Sequence, residues 1–379
     1  MALETDISLE NLLSYAAAAR EVSVILESLN KGEYDFLLVP SRGAAPIVDM
    51  CRLYFTSRRE RWRGGLNGMV PEWLANPLAN SLYLPFTADA GNLAIGVAAR
   101  DMRRFWCRVV AGMLRAPDTD PFYGFFRFLQ TRLGSGLAQT STMYEIDGRP
   151  KGDRFVFIDT AISGQAICEI MDGFSEAGLT NILYIVVADE NGEKLKPQYR
   201  QQIEEGVRAG SVFLVKMRRL FTEDRGPAVS GIWSVVFPEV MEAALKAVPE
   251  FREFGCIGAG LYFWTTEDPL SSGDQIVQQA IAWRRSAFMH AMLLPQPDHA
   301  RLEEDLEAYR ALIKAHRLFS RDATLEIARP RLLRAVNLPH AQLDISSSHV
   351  VRVSVPATEA MSAVTAFLQG AVSPNLAPR

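Results

Sequence analysis

The chain carries two kinds of apolar pattern, one at helical spacing and one in short unbroken runs. After Ser8, the residues Leu9, Leu12, Leu13, Ala16, Ala19 and Val22 recur at helical spacing, which predicts an amphipathic helix over 8–29 capped by Ser8. Asn30-Lys31-Gly32 stops it. The next apolar stretch, Phe36-Leu37-Leu38-Val39, shows no polar alternation, and it leads through a small-residue loop, Pro40 to Pro46, into a helical pattern over 47–55. An unbroken apolar run that passes through such a loop into a helix marks a strand buried on both faces of a parallel sheet. The pattern recurs downstream as strand 154–158, loop 159–166, a helix from about 167 to 174 ended by Ala177-Gly178, strand 181–188, helix QYRQQIEEGVRA and strand 211–215. This alternation predicts an α/β fold with a doubly wound, mostly parallel sheet.

Between the first two strand units lie far more residues than a crossover needs, so an insertion is expected over about 57–140. It contains Gly64, Gly65 and Gly68 in a loop, an apolar strand Ser81-Leu82-Tyr83-Leu84, and a helix carrying Arg100, Arg103, Arg104 and Arg108. The aromatic run Phe122, Tyr123, Phe125, Phe126 and Phe128 reads first as a helix packed on the core and second as a base-stacking platform. Beyond residue 250 the pattern changes to long helices over 274–293 and 299–319, a short strand over 350–355 and a last helix over 357–368. Turn formers gather at Asp268-Pro269-Leu270-Ser271-Ser272-Gly273. The expected division is a core over 1–268 and a mainly helical C-terminal extension over 269–379.

Composition narrows the function classes. A chain of 379 residues with 48% apolar and 22% charged side chains can bury a substantial core, which rules out a disordered, collagen-like or disulfide-scaffold chain. Its formal charge of −4 gives no global attraction for nucleic acid or anionic membrane, so a small molecule or a protein is the expected partner. Cys51, Cys107, Cys168 and Cys256 form no C-x-x-C pair and are expected reduced and mostly buried. Neither a basic leader nor an apolar run of spanning length is seen, so the expected location is cytoplasmic, with no membrane partner. His290, His299, His316, His340 and His349 all fall in the last quarter. A site built from the first 289 residues must therefore work without imidazole, which weakens the hydrolase triad, the His-ligated metal site and the Cys-His nucleophile.

Two loops carry the candidate chemistry, each joining the end of a buried strand to a helix. Ligands of open α/β sheets bind outside the carboxyl ends of the strands, where helix N-termini offer unpaired amides to anions. Ser41, Arg42, Gly43 and Ala44 give the first loop a cation and a glycine that allows close backbone approach. The second loop offers the hydroxyls of Thr160 and Ser163, with Ala161, Ile162, Gly164, Gln165 and Ala166 around a helix start, a set suited to a dianionic phosphate. Asp159 ends the strand, where a carboxylate can accept hydrogen bonds from sugar hydroxyls. Two anion loops flanking one acid suit a sugar with phosphate at both ends.

Residues 155–166, FVFIDTAISGQA, resemble the phosphoribosyl pyrophosphate (PRPP) motif of type I phosphoribosyltransferases: an apolar strand, two acids, three variable residues, Thr-Gly, one variable residue and Thr. Residues 38–46, LVPSRGAAP, are similar to that family's pyrophosphate loop, and the two motifs stand in the family's order. The resemblance implies a phosphoribosyltransferase-like core over about 8–240, with residues 160–166 holding the 5-phosphate, Asp159 the ribose hydroxyls and Ser41 to Gly43 the pyrophosphate. It further implies Mg2+, with Asp159 as its protein ligand, and a mobile loop at 142–153, where Asp147-Gly148 marks a turn and Arg149, Lys151 or Arg154 reaches the leaving group. Asp159, Arg42 and Lys151 are the implied catalytic residues. The sequence departs from the pattern at Ile158, which replaces the first acid, at Ala166, which replaces the last threonine, and at Ile162, where the 6-oxopurine branch carries a general-base aspartate.

The plainer readings stand beside these. Ser41-Arg42-Gly43 also fits a tight turn, Asp159 a helix N-cap, and Asp189-Glu190-Asn191-Gly192 a solvated turn at the same sheet edge rather than a metal or nucleophile site. Lys216, Arg218, Arg219, Glu223, Asp224 and Arg225 read as a solvated face before an acceptor contact, and Arg103 and Arg104 as solvated before a nucleic-acid contact. No Walker loop or dinucleotide fingerprint is present. The expected activity is Mg2+-dependent transfer of ribose 5-phosphate from PRPP to an unidentified acceptor, with pyrophosphate release. The alternatives are a catalytically silent PRPP- or nucleotide-sensing module and a hydrolase or glycosyl transferase acting on another phosphorylated nucleoside. A homo-oligomer or a protein partner would be engaged through the C-terminal extension. Gly164→Val is expected to abolish phosphate binding by blocking backbone approach.

Overall fold

The computed structural model describes residues 8–29, 36–40, 44, 47–48, 50–55, 81–84, 86, 97–117, 119–133, 154–189, 192–218, 233–236, 247–254, 262–265, 283, 286–287, 289–292, 296–316, 342–347, 350–354, 356–358, 361–362 and 365. Helix α1 (Leu9–Leu29) starts where expected, with the Asn11 N–H donating to Ser8 Oγ at 3.2 Å. Strand β1 (Phe36–Val39) is buried throughout and precedes the helical residues 50–55, α2. The insertion supplies β2 (Ser81–Tyr83), α3 (Val97–Arg115) and α4 (Pro121–Leu133). The second series follows as β3 (Phe155–Ala161), α5 (Gln165–Glu176), β4 (Ile182–Asp189), α6 (Pro197–Ala209) and β5 (Val212–Met217).

These five strands form one parallel sheet in the order β2-β1-β3-β4-β5. Alternation along the strands sends side chains to two separate cores. Phe36, Leu38, Phe155, Phe157, Tyr184 and Val186 meet α3, α4, α5 and α6 on one face. Leu37, Val39, Val156, Ile158, Ile185 and Val187 meet α1 and α2 on the other. Helices on both faces of an all-parallel sheet make the chain an α/β protein with a doubly wound arrangement.

Phe122, Tyr123, Phe125 and Phe126 of α4 belong to the first core, and the side chain of Phe128 lies outside the description. Phe122, Phe125 and Phe126 are buried, and Phe122 packs on Phe251 with ring centroids 4.9 Å apart. Phe251 comes from a single 3-10 turn, Pro249–Phe251, and also meets Phe105 edge-on at 5.1 Å. Rings enclosed this way have no face left for a nucleobase, so the base-stacking alternative fails for these residues. Arg103, Arg104 and Arg108 of α3 are likewise engaged rather than simply solvated. Arg103 is ion-paired to Glu169 of α5, Arg104 Nε donates to Glu176 Oε2 at 2.8 Å, and the Arg108 guanidinium lies 5.0 Å from the centre of the Phe122 ring.

A second sheet escaped the apolar pattern. Trp233–Val236 (β6), Tyr262–Thr265 (β7), Gln342–Ser347 (β8) and Val350–Ser354 (β9) pair in the order β7-β6-β9-β8. Only β9 was expected. The β6–β9 pairing is parallel and joins residues on either side of residue 268. Packing crosses that point as well. Ala287, Ala291, Leu302, Leu306 and Tyr309 lie in the same core as α1, and Arg20 of α1 donates from Nε to Met292 O at 2.7 Å. Leu302 to Tyr309 belong to a helix, His299–His316 (α7). Its Asp305, almost fully buried, accepts from Ser286 Oγ at 3.2 Å and contacts His290 Nδ1 at 2.9 Å. Among the described residues no helix is long and apolar enough to cross a membrane.

Candidate functional site

The order 2-1-3-4-5 reverses direction between β1 and β3, and that topological switch point is where open α/β sheets bind ligands. The register gives the reversal a shape. The last β1–β3 pair is Leu38↔Phe157, whereas the β3–β4 ladder continues through Asp159↔Val186 to Ala161↔Ala188. β3 therefore runs on beyond its ladder with β1, and its carboxyl end, starting with Asp159, stands at the crevice.

Strand β3 ends at Ala161, three residues later than expected, so Asp159 and Thr160 belong to the strand rather than to the loop. The loop proper is Ile162-Ser163-Gly164. Asp159 lies five residues before the Gly164 cap of α5, and this excludes the N-cap role. It is 4% exposed, and its Oδ1 accepts the Thr160 N–H at 2.7 Å. A buried carboxylate needs such donors to persist. Thr160 is half-buried, Ala161 is buried in the first core, and Ile162 stands 40% exposed at the loop tip.

Ser163 serves the helix it precedes: the Gln165 N–H donates to its Oγ at 3.4 Å. Its carbonyl accepts the Lys196 N–H at 3.0 Å, tying the loop to the start of α6. Gly164 has φ +85°, and a Cβ there would lie 2.8 Å from Tyr199 Cβ and 3.3 Å from Leu195 Cδ2. The missing side chain thus makes room for α6. Gly164→Val would disrupt packing whether or not phosphate binds, which removes it as a test of the ligand. Gln165 and the half-buried Ala166 form the start of α5, whose first turn carries no acid. The amides of Ala166 and Ile167 precede the first intrahelical bond, made by the Cys168 N–H to Gly164 O at 3.1 Å.

Ala44 from the first loop is fully buried in the α1-side core, and its carbonyl accepts the N–H groups of Ile47 and Val48, both at 3.1 Å. Ser41, Arg42, Gly43 and Lys151 lie outside the described residues, as do the Asp147-Gly148 turn, Arg149 and Cys256. Arg154 is exposed at the start of β3.

Asp189 differs from its expected solvated setting. It is buried at the end of β4 and ion-paired to Lys194 Nζ at 2.6 Å. After β5, the Arg218 N–H donates to Ser14 Oγ at 3.1 Å and its guanidinium pairs with Glu10, so this residue straps the sheet to α1. Cys51, Cys107 and Cys168 are free thiols and buried. Burial first, then the nearby carboxylates of Asp172 and Glu169, push the Cys168 thiol up to about 12. Sequence reasoning missed the chain from Gln165 through Glu169 to Arg103, because nothing local to a sequence pairs residues 103 and 169. Comparison of the chain with protein-family models, curated proteins and solved structures gave no match.

Proposed function

We infer that the chain is a phosphoribosyltransferase-like protein that binds PRPP at the β1–β3 crevice and transfers ribose 5-phosphate to an acceptor. The observation that carries this reading is the extension of β3 past its ladder with β1, with the buried Asp159 in its last three residues, ahead of loop 162–164 and the start of α5. The amides at that helix start suit the 5-phosphate, and Asp159 suits the ribose hydroxyls. In the transfer, the bond from ribose C1 to the pyrophosphate oxygen breaks, and a bond from the acceptor nitrogen to C1 forms. Pyrophosphate leaves and the acceptor proton passes to solvent. The protein's part is to align the two reactants and stabilise the departing anion.

Magnesium usually needs only one or two protein carboxylates beside substrate phosphates and water. Asp159 would hold it together with the ligand's own oxygens, where the ion would offset the charge of departing pyrophosphate.

A second reading, binding without turnover, is favoured by Ile158. That position carries the first acid of the motif the chain resembles, yet here it is a fully buried part of the α1-side core. Calorimetric titration with PRPP, with and without magnesium, combined with a pyrophosphate-release assay over a panel of bases, separates the two. Asp159→Asn is expected to weaken PRPP about 10- to 100-fold, the loss of charge-assisted hydrogen bonds to hydroxyls, with the fold intact by circular dichroism. Release on adding one base establishes transfer, whereas binding without release favours a sensor. Equal affinity in wild type and Asp159→Asn refutes the site.

A further inference from the structure

The insertion reaches the start of α5 through three side chains. Gln165 donates from Nε2 to Glu169 Oε1 at 2.9 Å, and Glu169 Oε2 is ion-paired to Arg103 Nη1 of α3. The Arg103 and Glu169 side chains are only 13% and 16% exposed, so solvent screens the pair poorly. Arg103 Nε is buried without a hydrogen-bond partner, so the guanidinium is held here despite an unsatisfied donor. Neighbouring contacts also join the two helices. Cys107 Sγ donates to Ile170 O at 3.6 Å, and Arg115 Nη1 donates to Gly178 O at 2.6 Å. Arg104, next to Arg103, reaches Glu176 at the end of α5, so of these two arginines it is Arg103 that bears on the half of α5 nearer the loop.

Glu169 creates an electrostatic difficulty for the site. Its backbone stands about 6 Å of helical rise from Gln165, and its Oε1 is held toward that first residue of α5 by Gln165 Nε2. A bare carboxylate that close, weakly solvated, would repel an incoming phosphate and offset the positive end of α5. Arg103 brings the compensating charge. We propose that Arg103 is a positioning residue of the phosphate loop: by neutralising Glu169 and holding it against Gln165, it keeps the first turn of α5 receptive to a phosphate group. This rests on the reading of residues 159–166 as a ribose-phosphate site. It also gives the insertion a task at that site, since its helix α3 supplies the cation.

The test is calorimetric titration of four full-length proteins, wild type, Arg103→Met, Glu169→Gln and the double variant, with PRPP and separately with inorganic phosphate. Arg103→Met is expected to bind about tenfold more weakly, and Glu169→Gln about threefold more tightly because the arginine charge is then uncompensated. The double variant is expected within about threefold of wild type. An ion pair that only ties α3 to α5 would lower the melting temperature of the single variants and leave affinity unchanged, and that result overturns the proposal. Should Arg103→Met fail to fold, Glu169→Gln and the double variant carry the test: a Glu169→Gln protein that binds no tighter than wild type overturns it. If inorganic phosphate follows the expected order but PRPP does not bind, the positioning role stands and the ribose-phosphate reading falls. If PRPP binds all four proteins equally, the reverse holds; if wild type takes neither probe, both fall.

Discussion

Replacing Gly164 with alanine probes the close contact between the β3 loop and α6. At φ +85° the residue occupies the left-handed region, which costs a residue with a side chain about 1–2 kcal/mol. The new methyl would also lie 2.8 Å from Tyr199 Cβ, a backbone-anchored atom that cannot swing away. Nor can the loop retreat easily, because the Lys196 N–H to Ser163 O bond of 3.0 Å fixes it to the start of α6. Overpacking of this kind costs about 1–3 kcal/mol. Together the two contributions give about 2–5 kcal/mol, which for an m-value of roughly 3 kcal/mol/M lowers the urea midpoint by about 1 M. Urea titration followed by tryptophan fluorescence measures the shift. Tyr199→Gly in the same chain removes the clashing atom but not the left-handed strain, so the double variant should cost less than the sum of the singles by about 1–3 kcal/mol. A Gly164→Ala cost below about 1 kcal/mol would refute the left-handed conformation. Strict additivity with Tyr199→Gly would refute the close contact.

Two further outcomes are expected away from the loop. With its thiol pushed up to about 12, Cys168 holds roughly a thousandfold less thiolate at pH 8 than a free cysteine, and the greater nucleophilicity of that thiolate returns only about one decade. Iodoacetamide at pH 8 should therefore modify Cys168 roughly a hundredfold more slowly in the folded protein than in urea, as read by peptide mass spectrometry; equal rates would contradict its burial. Asp305→Ala removes the acceptor shared by Ser286 and His290 and should cost about 1.5–3 kcal/mol. Because that acceptor ties α7 to the preceding helical residues, limited proteolysis should cut within 283–316 sooner than in wild type, and an unchanged pattern would show that apolar packing alone holds the segment.

The local patterns determined much of this protein. Unbroken apolar runs at 36–39, 155–158 and 182–188 announce strands buried on both faces, because a polar residue on either face of such a strand would lose its water without replacement. Gly178, with φ +76°, closes α5 as the sequence suggested, since few other residues accept that conformation. Asp159, Ser163 and Gly164 were legible as a group for the same local reason, an acid, a hydroxyl and a glycine within six residues where an apolar run gives way to a helix.

Tertiary structure decided what depends on partners distant in sequence. The five-strand order, and with it the crevice beside β3, follows from which strands pair, and the apolar pattern of each strand is the same whichever neighbour it takes. The second sheet was hidden because its strands are short and β6 finds parallel β9 from the far end of the chain. The enclosure of the α4 aromatics needed Phe251, and the pairing of Arg103 needed Glu169, two contacts that no local spacing encodes. Gly164 shows both levels at one residue. Its type was visible in the sequence, but its reason, the Tyr199 Cβ beside it, exists only once α6 has packed against the loop.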